Sequence, residues 1–310
     1  MLIRENITML NTIINNKDNF FALSDNKEKS YLYAHLRTIA QNVSSSEMNM
    51  NYWYERFYKI LSEFLFMLDE SIYVSGVLPC GLMIPYFGFV YNIENENKIL
   101  LRMNSVIHNG AKISVNMDNV NMEPVEFINY LVPLLYYQSF DLGMYCLNMS
   151  AGHKNTLDFI TAKQRASYIK NFIFCIHISD DFMNSIIYKT SRENLYLFDN
   201  LAHAIYDVGE PTIAFSDRIN ETNTIPQKGT PRTITSCGEM SLFDNEGFVE
   251  GSINLGKMVS GNNINYNKIE DTVKIAVGLL DDTIDASHYD SSCIEEMTKA
   301  TRKIGIGITG

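Results

Sequence analysis

Phe172-Ile173-Phe174-Cys175-Ile176-His177-Ile178, followed at once by Ser179-Asp180-Asp181, reads as a buried strand running into the start of a helix. The first seven residues form a short, largely apolar run rich in β-branched and aromatic side chains. Ser179, Asp180 and Asp181 supply side-chain oxygens able to accept from the free N–H groups of a first helical turn. Met183, Ile186 and Ile187 continue as the apolar face of that helix. The same texture extends upstream. Met83–Tyr91 is a second strand-like run, and Lys112–Met117 alternates with period two, as a half-buried strand does. Glu123–Tyr137 reads as a helix opened by Pro124 in its first turn. Downstream, Ile269, Val273, Ala276, Val277, Leu280 and Ile284 make one helical stripe, with Asn267 and Glu270 as its cap and capping-box acid. Ser292 and Glu295 repeat that pattern ahead of Ile294, Met297 and Ala300. Ile304-Gly305-Ile306-Gly307-Ile308 is a glycine-tight strand, so the sequence ends on a fresh strand and reads as cut short. Strands alternating with helices imply an α/β class with a largely parallel sheet or barrel.

The first 75 residues or so differ and read as helical. Trp53, Phe57, Ile60, Leu61, Phe64, Leu65 and Leu68 form one apolar stripe, which predicts a core-packing helix over 51–68. Asp25–Ser30 and Ser44–Glu47 read as turns between helices. The expected organisation is a helical region over 1–75 and an α/β region over 76–310, with no repeat or low-complexity linker to mark a further domain.

The chain has 310 residues, 46% of them hydrophobic and 20% charged, within the usual range of a globular protein. Its formal net charge of −11 argues against wrapping nucleic acid or lying on an anionic membrane. Local basic groups and helix N-termini still leave room for an anionic nucleotide. No run reaches the ~18 apolar residues of a membrane span, and no secretory signal opens the chain. Five widely spaced cysteines suit a reducing cytoplasm rather than a disulfide scaffold. Asn148-Met149-Ser150 is then an incidental glycosylation triplet. No Cys-x-x-Cys or His-x-x-x-His spacing suggests a metal.

Chemistry concentrates at Thr235-Ser236-Cys237-Gly238-Glu239, followed by Glu250-Gly251-Ser252-Ile253-Asn254-Leu255-Gly256. A thiol beside a fixed acid can give up a hydrogen atom or proton while the acid moves a proton on the same substrate. Cys146, Cys175 and Cys293 read as structural thiols, and His153 and His177 as ordinary hydrogen-bonded residues. Asp281, Asp282 and Asp285 read as the solvated acidic end of a helix, and Gly305, Gly307 and Gly310 as tight packing rather than a phosphate loop.

Taken in order, these blocks resemble the catalytic large subunit of ribonucleotide reductase, most closely its adenosylcobalamin-dependent class II. The family's finger loop reads Asn-Pro-Cys-Gly-Glu, then a cysteine shortly before Gly-Ser-Ile-Asn-Leu. Gly152–Ile160, Lys170-Asn171-Phe172 with Ser179–Met183, Asp217–Asn220, and the tail from Val273 through Leu280–Asp285 and Glu295–Gly307 resemble further family blocks. The resemblance covers roughly residues 75–310. It implies part of a ten-stranded α/β barrel, namely the first half-barrel and finger loop, with an N-terminal helical region. It implies radical reduction of ribonucleotides to deoxyribonucleotides for DNA synthesis. Cys237 would be the thiyl residue that takes the ribose 3′ hydrogen and Glu239 the base for the 3′-hydroxyl proton. Cys80, in Gly76-Val77-Leu78-Pro79-Cys80, would be a reductant cysteine, and Thr235, Ser236 and Gly238 would line the substrate. The cofactor implied is adenosylcobalamin, or else a separate metal-radical subunit, with a dNTP or ATP effector. The partners implied are the ribonucleotide, a complementary C-terminal reductase chain or radical-generating subunit, a thioredoxin-like reductant and a second copy of the chain. The sequence departs from the family at Thr235 (Asn), at Phe248 (the second reductant cysteine), at Asp141-Leu142 (an arginine pair) and in stopping at Gly310. Two readings follow: a reductase part completed by a second chain, or a diverged non-catalytic paralogue serving as a regulatory or interaction subunit.

Overall fold

The computed structural model describes residues 26–77, 81–136, 145–166, 169–261 and 263–310. They fall into two compact units, each assembled from separate stretches of chain. The first unit holds the described residues through Pro85, Phe248–Tyr289 and Arg302–Gly310; the second holds Tyr86–Gly247 and Asp290–Thr301.

The chain enters the first unit with helices α1 (Asn26–Val43) and α2 (Met50–Ser62), joined by a short 3-10 turn at Ser44–Ser46. The turn expected at 25–30 is already helix from Asn26 onward. Helix α2 does not run to Leu68 as its stripe implies. It closes at Ser62, where the Glu63 and Leu65 N–H groups donate to Lys59 and Ile60 carbonyls and Phe64 takes a left-handed φ of 54°. The chain reverses there, and Phe66–Leu68 becomes strand β1, with Phe66 and Leu68 buried. An apolar stripe shared by a helix and the strand after it reads as one long helix, which is why periodicity overran the boundary. Helix α3 (Glu70–Ser75) follows, capped by Asp69, which accepts from the Ser71 N–H at 2.9 Å.

The second unit is built on parallel strands β2 (Tyr86–Val90), β3 (Lys112–Asn116), β4 (Tyr145–Ser150), β5 (Phe172–Ile178) and β6 (Thr212–Phe215), paired in chain order. Helices α4 (Glu96–His108), α5 (Pro124–Tyr136), α6 (Thr156–Arg165), α7 (Asp180–Ile187) and α8 (Arg192–Val208) connect them. The expected α/β class is therefore observed. Ser179 caps α7 by accepting from the Phe182 N–H at 3.2 Å. Strand β3 is buried over Ile113–Asn116 rather than half-buried, because α4 covers one face and a later hairpin the other. Aromatic edge-to-face pairs, Tyr91 with Phe127 and Phe159 with Phe174 at 4.9 and 4.8 Å between ring centres, fill the layer beneath the helices.

Beyond β6 the second unit carries a small hairpin, β7 (Thr233–Ile234) with β8 (Ser241–Leu242). Strand β9 (Gly247–Asn254) leads back into the first unit and pairs antiparallel with β1. Helix α9 (Tyr266–Ala286) packs on α1 and α2. Its cap is Asn265, which accepts from the Lys268 N–H at 2.9 Å, not Asn267; Glu270 pairs with Lys274 instead of closing a capping box. In helix α10 (Ser292–Thr301), Glu295 likewise turns to Lys299 at 2.7 Å. Strand β10 (Lys303–Thr309) runs parallel to β9.

The acidic end of α9 is solvated only in part: Asp285 is exposed and Asp281 half-buried, but Asp282 is not. Arg302 donates to Asp281 at 2.7 Å and to Asp285 at 2.8 Å, while Asp282 is 7% exposed. Gly305 packs as expected: a methyl group there would stand 2.7 Å from the Phe248 ring, which is itself buried. Among the described residues no helix is long and apolar enough to cross a membrane.

Candidate active site

Thr235–Glu239, the expected finger-loop residues, sit on the β7–β8 hairpin of the second unit. Strands β7 and β8 pair Thr233 with Leu242 and Ile234 with Ser241, leaving Thr235–Met240 as the loop. The Thr235 N–H donates to the Met240 carbonyl at 2.8 Å, and the Met240 N–H donates back to the Thr235 hydroxyl at 3.2 Å. Inside this frame the Gly238 N–H reaches the Thr235 carbonyl at 2.9 Å, so Ser236 and Cys237 form the corner of a β-turn. Gly238 takes φ +81°, a conformation open to glycine and strained for other residues.

This geometry sorts the loop by exposure. Thr235 and Ser236 are 1% and 9% exposed, whereas Cys237 and Glu239 face outward. Thr235, expected to line the substrate, spends its hydroxyl as an acceptor that closes the loop. The thiol and the carboxylate are both exposed on one six-residue loop, two positions apart. Cys80, the expected reductant, and the Asp141-Leu142 segment lie outside the described residues.

Beneath the loop, the root of the hairpin is fixed in two ways. The Ile234 side chain enters an apolar cluster with Cys146, Cys175 and Ala214. Its backbone is met by side chains of the sheet: the Ile234 N–H donates to Asn148 Oδ1 at 2.9 Å, and the Ser114 hydroxyl donates to the Ile234 carbonyl at 2.5 Å. Asn148 Nδ2 donates to Ser114 Oγ at 2.8 Å, and His177 Nε2 bonds Asn148 Oδ1 at 2.9 Å. Further along the hairpin, β2 comes so close that a methyl group on Gly88 would stand 2.6 Å from Thr233 Oγ1 and 2.7 Å from the Phe243 carbonyl. The Gly88 N–H donates to the Glu246 carbonyl, and the Asn245 N–H donates to the Gly88 carbonyl.

Cys146 and Cys175 are the structural thiols expected, at 1% and 0% exposure. Burial pushes the Cys146 thiol up to about 12, opposed by the neighbouring polar groups of Ser114 and Asn148, and the charges of Glu210 and then Cys237 add to the rise. Burial raises Cys175 as well. Both are therefore protonated at neutral pH and poor nucleophiles. His177 is pushed down by burial, with Asp118 opposing, so its ring is neutral. Among the described residues, no group of three or more His, Cys, Asp or Glu side chains could hold a metal.

Sequence reasoning did not find Ser114, Asn148 or His177 as site residues. The available signal was polar side chains at alternate positions of buried strands: Cys146-Leu147-Asn148-Met149-Ser150 carries Asn148 on the face opposite Leu147 and Met149. Asn148, set aside as part of an incidental glycosylation triplet, is 0% exposed.

Residues 184–310, which include this hairpin, match the model of the ribonucleotide reductase barrel domain. The chain resembles the large subunit of ribonucleotide reductase. Over 181 residues it is 30% identical to the vitamin B12-dependent ribonucleoside-diphosphate reductase of Mycobacterium tuberculosis, covering 52% of this chain and 26% of that protein. The protein of the same name from Thermoplasma acidophilum is 28% identical over 179 residues, covering 52% of this chain and 23% of the relative. The ribonucleoside-diphosphate reductase subunit alpha of Chlamydia trachomatis is 30% identical over 126 residues, 39% of this chain and 12% of its own. The chain thus aligns with about a quarter or less of the length of these curated reductases. The expected resemblance holds, and the α/β architecture of the second unit agrees with the reductase-like barrel segment.

Proposed function

We propose that this chain is the finger-loop-bearing part of a ribonucleotide reductase that converts ribonucleotides to deoxyribonucleotides. The observation that carries the reading is the pairing of an exposed Cys237 with an exposed Glu239 on one braced turn, in the segment that matches the reductase barrel. Cys237 takes the ribose 3′ hydrogen atom, and Glu239 accepts the proton of the 3′-hydroxyl. Ser236 and Gly238 hold the turn against the substrate, and Thr235 fixes its two ends.

Radical chemistry of this kind needs the Cys237 thiol to give up its hydrogen atom, leaving a thiyl radical. The radical that accepts that hydrogen atom would come from bound adenosylcobalamin, a reading supported by the vitamin B12-dependent names of the relatives, or else from a metal-radical subunit. Cys237 is the residue on which such a group acts, and its exposure at the turn fits that role. Phe248 is buried against Gly305 and carries no thiol. The reducing electrons therefore come from Cys80 together with an external dithiol protein of thioredoxin type, or from a small reductant such as formate. A complementary reductase chain completes the site, and the ribonucleotide, a dNTP or ATP effector and a second copy are the remaining partners.

The test is nucleotide reduction by the chain together with a complementary reductase chain, adenosylcobalamin and a dithiol. Turnover is expected, and Cys237→Ser should lower it below about a thousandth of the parent rate. Unchanged turnover in Cys237→Ser would refute the assignment.

A further inference from the structure

The hydrogen bonds beneath the hairpin form a chain whose direction is forced at every link. The Ile234 backbone N–H can only donate, so the Asn148 atom it meets at 2.9 Å is the amide oxygen. That oxygen also faces His177 Nε2 at 2.9 Å, so the neutral His177 ring carries its proton on Nε2. The other end of the amide is then the NH₂ group, which can only donate, and Ser114 Oγ accepts from it at 2.8 Å. The Ser114 proton is left for the Ile234 carbonyl at 2.5 Å. Asn148 and Ser114 thus engage both backbone groups of Ile234, as a neighbouring β-strand would, and His177 fixes which way the amide points.

The placement of these groups matters as much as the bonds. Ser114 pairs in register with Cys146, and Asn148 with both Asn116 and Cys175, so the clamp rests on three adjacent parallel strands rather than on a loop. Asn148 is 0% exposed, Ser114 1% and His177 8%. Ile234 is the residue immediately before Thr235, where the catalytic turn begins.

We propose that Asn148, Ser114 and His177 are positioning residues for the Cys237 turn, fixing the root of the hairpin so that the exposed thiol and Glu239 are held at one height above the sheet. The proposal rests on the reading of Cys237 as the reacting thiol. A thiol that must meet one hydrogen atom of a bound ribose tolerates little drift, and a root released from its clamp lets the turn wander without removing any group that touches substrate. The loss therefore falls on the rate of reaction rather than on nucleotide affinity.

Two measurements test it. In the full chain with Cys80 and Cys293 replaced by serine, a nitroxide on Cys237 reports the motion of the turn directly by electron paramagnetic resonance. Asn148→Ala and the milder Ser114→Ala should each narrow its lines, His177→Gln, which keeps a donor, should narrow them less than His177→Ala, and Asn148→Ala/Ser114→Ala should narrow them no more than the stronger single change. In the complex with the complementary chain and native cysteines, Ser114→Ala and Asn148→Ala should each lower kcat about tenfold to a hundredfold, with the nucleotide KM within about threefold of the parent. Parent-like line shapes in both single variants, additive mobility in the double variant, or a raised KM with kcat retained would each overturn the clamp. Absence of turnover in the parent complex would overturn the reductase reading instead, and the line shapes would still decide the clamp.

Discussion

At Gly238, backbone geometry and chemistry meet within one residue of the thiol. Its φ of +81° lets its N–H return to the Thr235 carbonyl and turns Cys237 outward. The space around it is not the constraint, since a methyl group would find only Thr212 Cγ2 at an ordinary 3.5 Å. Gly238→Ala should therefore act through the backbone alone, costing about 1–2 kcal/mol by forcing a non-glycine residue into the left-handed region. Part of that cost is relieved if the turn opens. The expected outcome is a lower melting temperature together with faster amide exchange at Gly238 and Met240; a variant with parent stability and exchange would show that the turn conformation is not held. The Cys-Gly-Glu order was legible as chemistry because a thiol, a glycine and an acid are each informative by type. The role of Thr235 was not, because a hydroxyl that could meet a ribose is written identically to one that closes its own loop.

Elements were legible where a local signal matched the tertiary outcome. Strand β5 and its Ser179 cap, and helix α5 opened by Pro124, follow their sequence patterns because burial and local preference agree there. The pattern misled where two elements share one apolar surface, as at α2 and β1, and where several polar residues competed for one cap, as at Asn265 and Asn267. The hairpin itself was visible only as a motif, since its strands are two residues each and draw their stability from the sheet they lie on. Gly88 is where that contact is closest. Gly88→Ala would place a methyl group 2.6 Å from Thr233 Oγ1 and 2.7 Å from the Leu242 Cβ, so the hairpin must lift from β2. We expect destabilisation of about 1–3 kcal/mol, the usual cost of overpacking a tight interior. Amide exchange should rise at Thr233–Leu242 while β4 and β5 keep parent protection. Uniform loss of protection across the second unit would instead mean that Gly88 matters to the whole sheet.

For the molecule as a whole, the sequence carries 36 acidic and 25 basic residues, and composition alone suggests an acidic, well-solvated surface. The Asp281–Asp285 segment shows what that view misses, because a helix delivers successive residues to different surroundings. Asp281 and Asp285 face Arg302, whereas Asp282 points inward at 7% exposure. Burial, and then the neighbouring Glu47 carboxyl, raises the Asp282 carboxyl from 3.8 to about 7, with Asp281 and Asp285 adding to the rise. In the unfolded chain the group titrates near its ordinary value, so between roughly pH 4 and 7 the folded state holds a proton that the unfolded state has lost. The contribution of Asp282 to stability is therefore fully present below about pH 4, declines as pH rises through that window, and is lost above about pH 7. Asp282→Asn keeps the shape and removes the ionisation. Other carboxylates titrate in the same range, so the informative quantity is the difference between the two proteins in thermal melts at successive pH values. The variant should gain on the parent steadily from about pH 4 to pH 7, with the gap constant above that. Parallel profiles would mean that Asp282 is ionised in the fold and that a cation or donor compensates it at the junction of α9 with the Ser44–Glu47 turn.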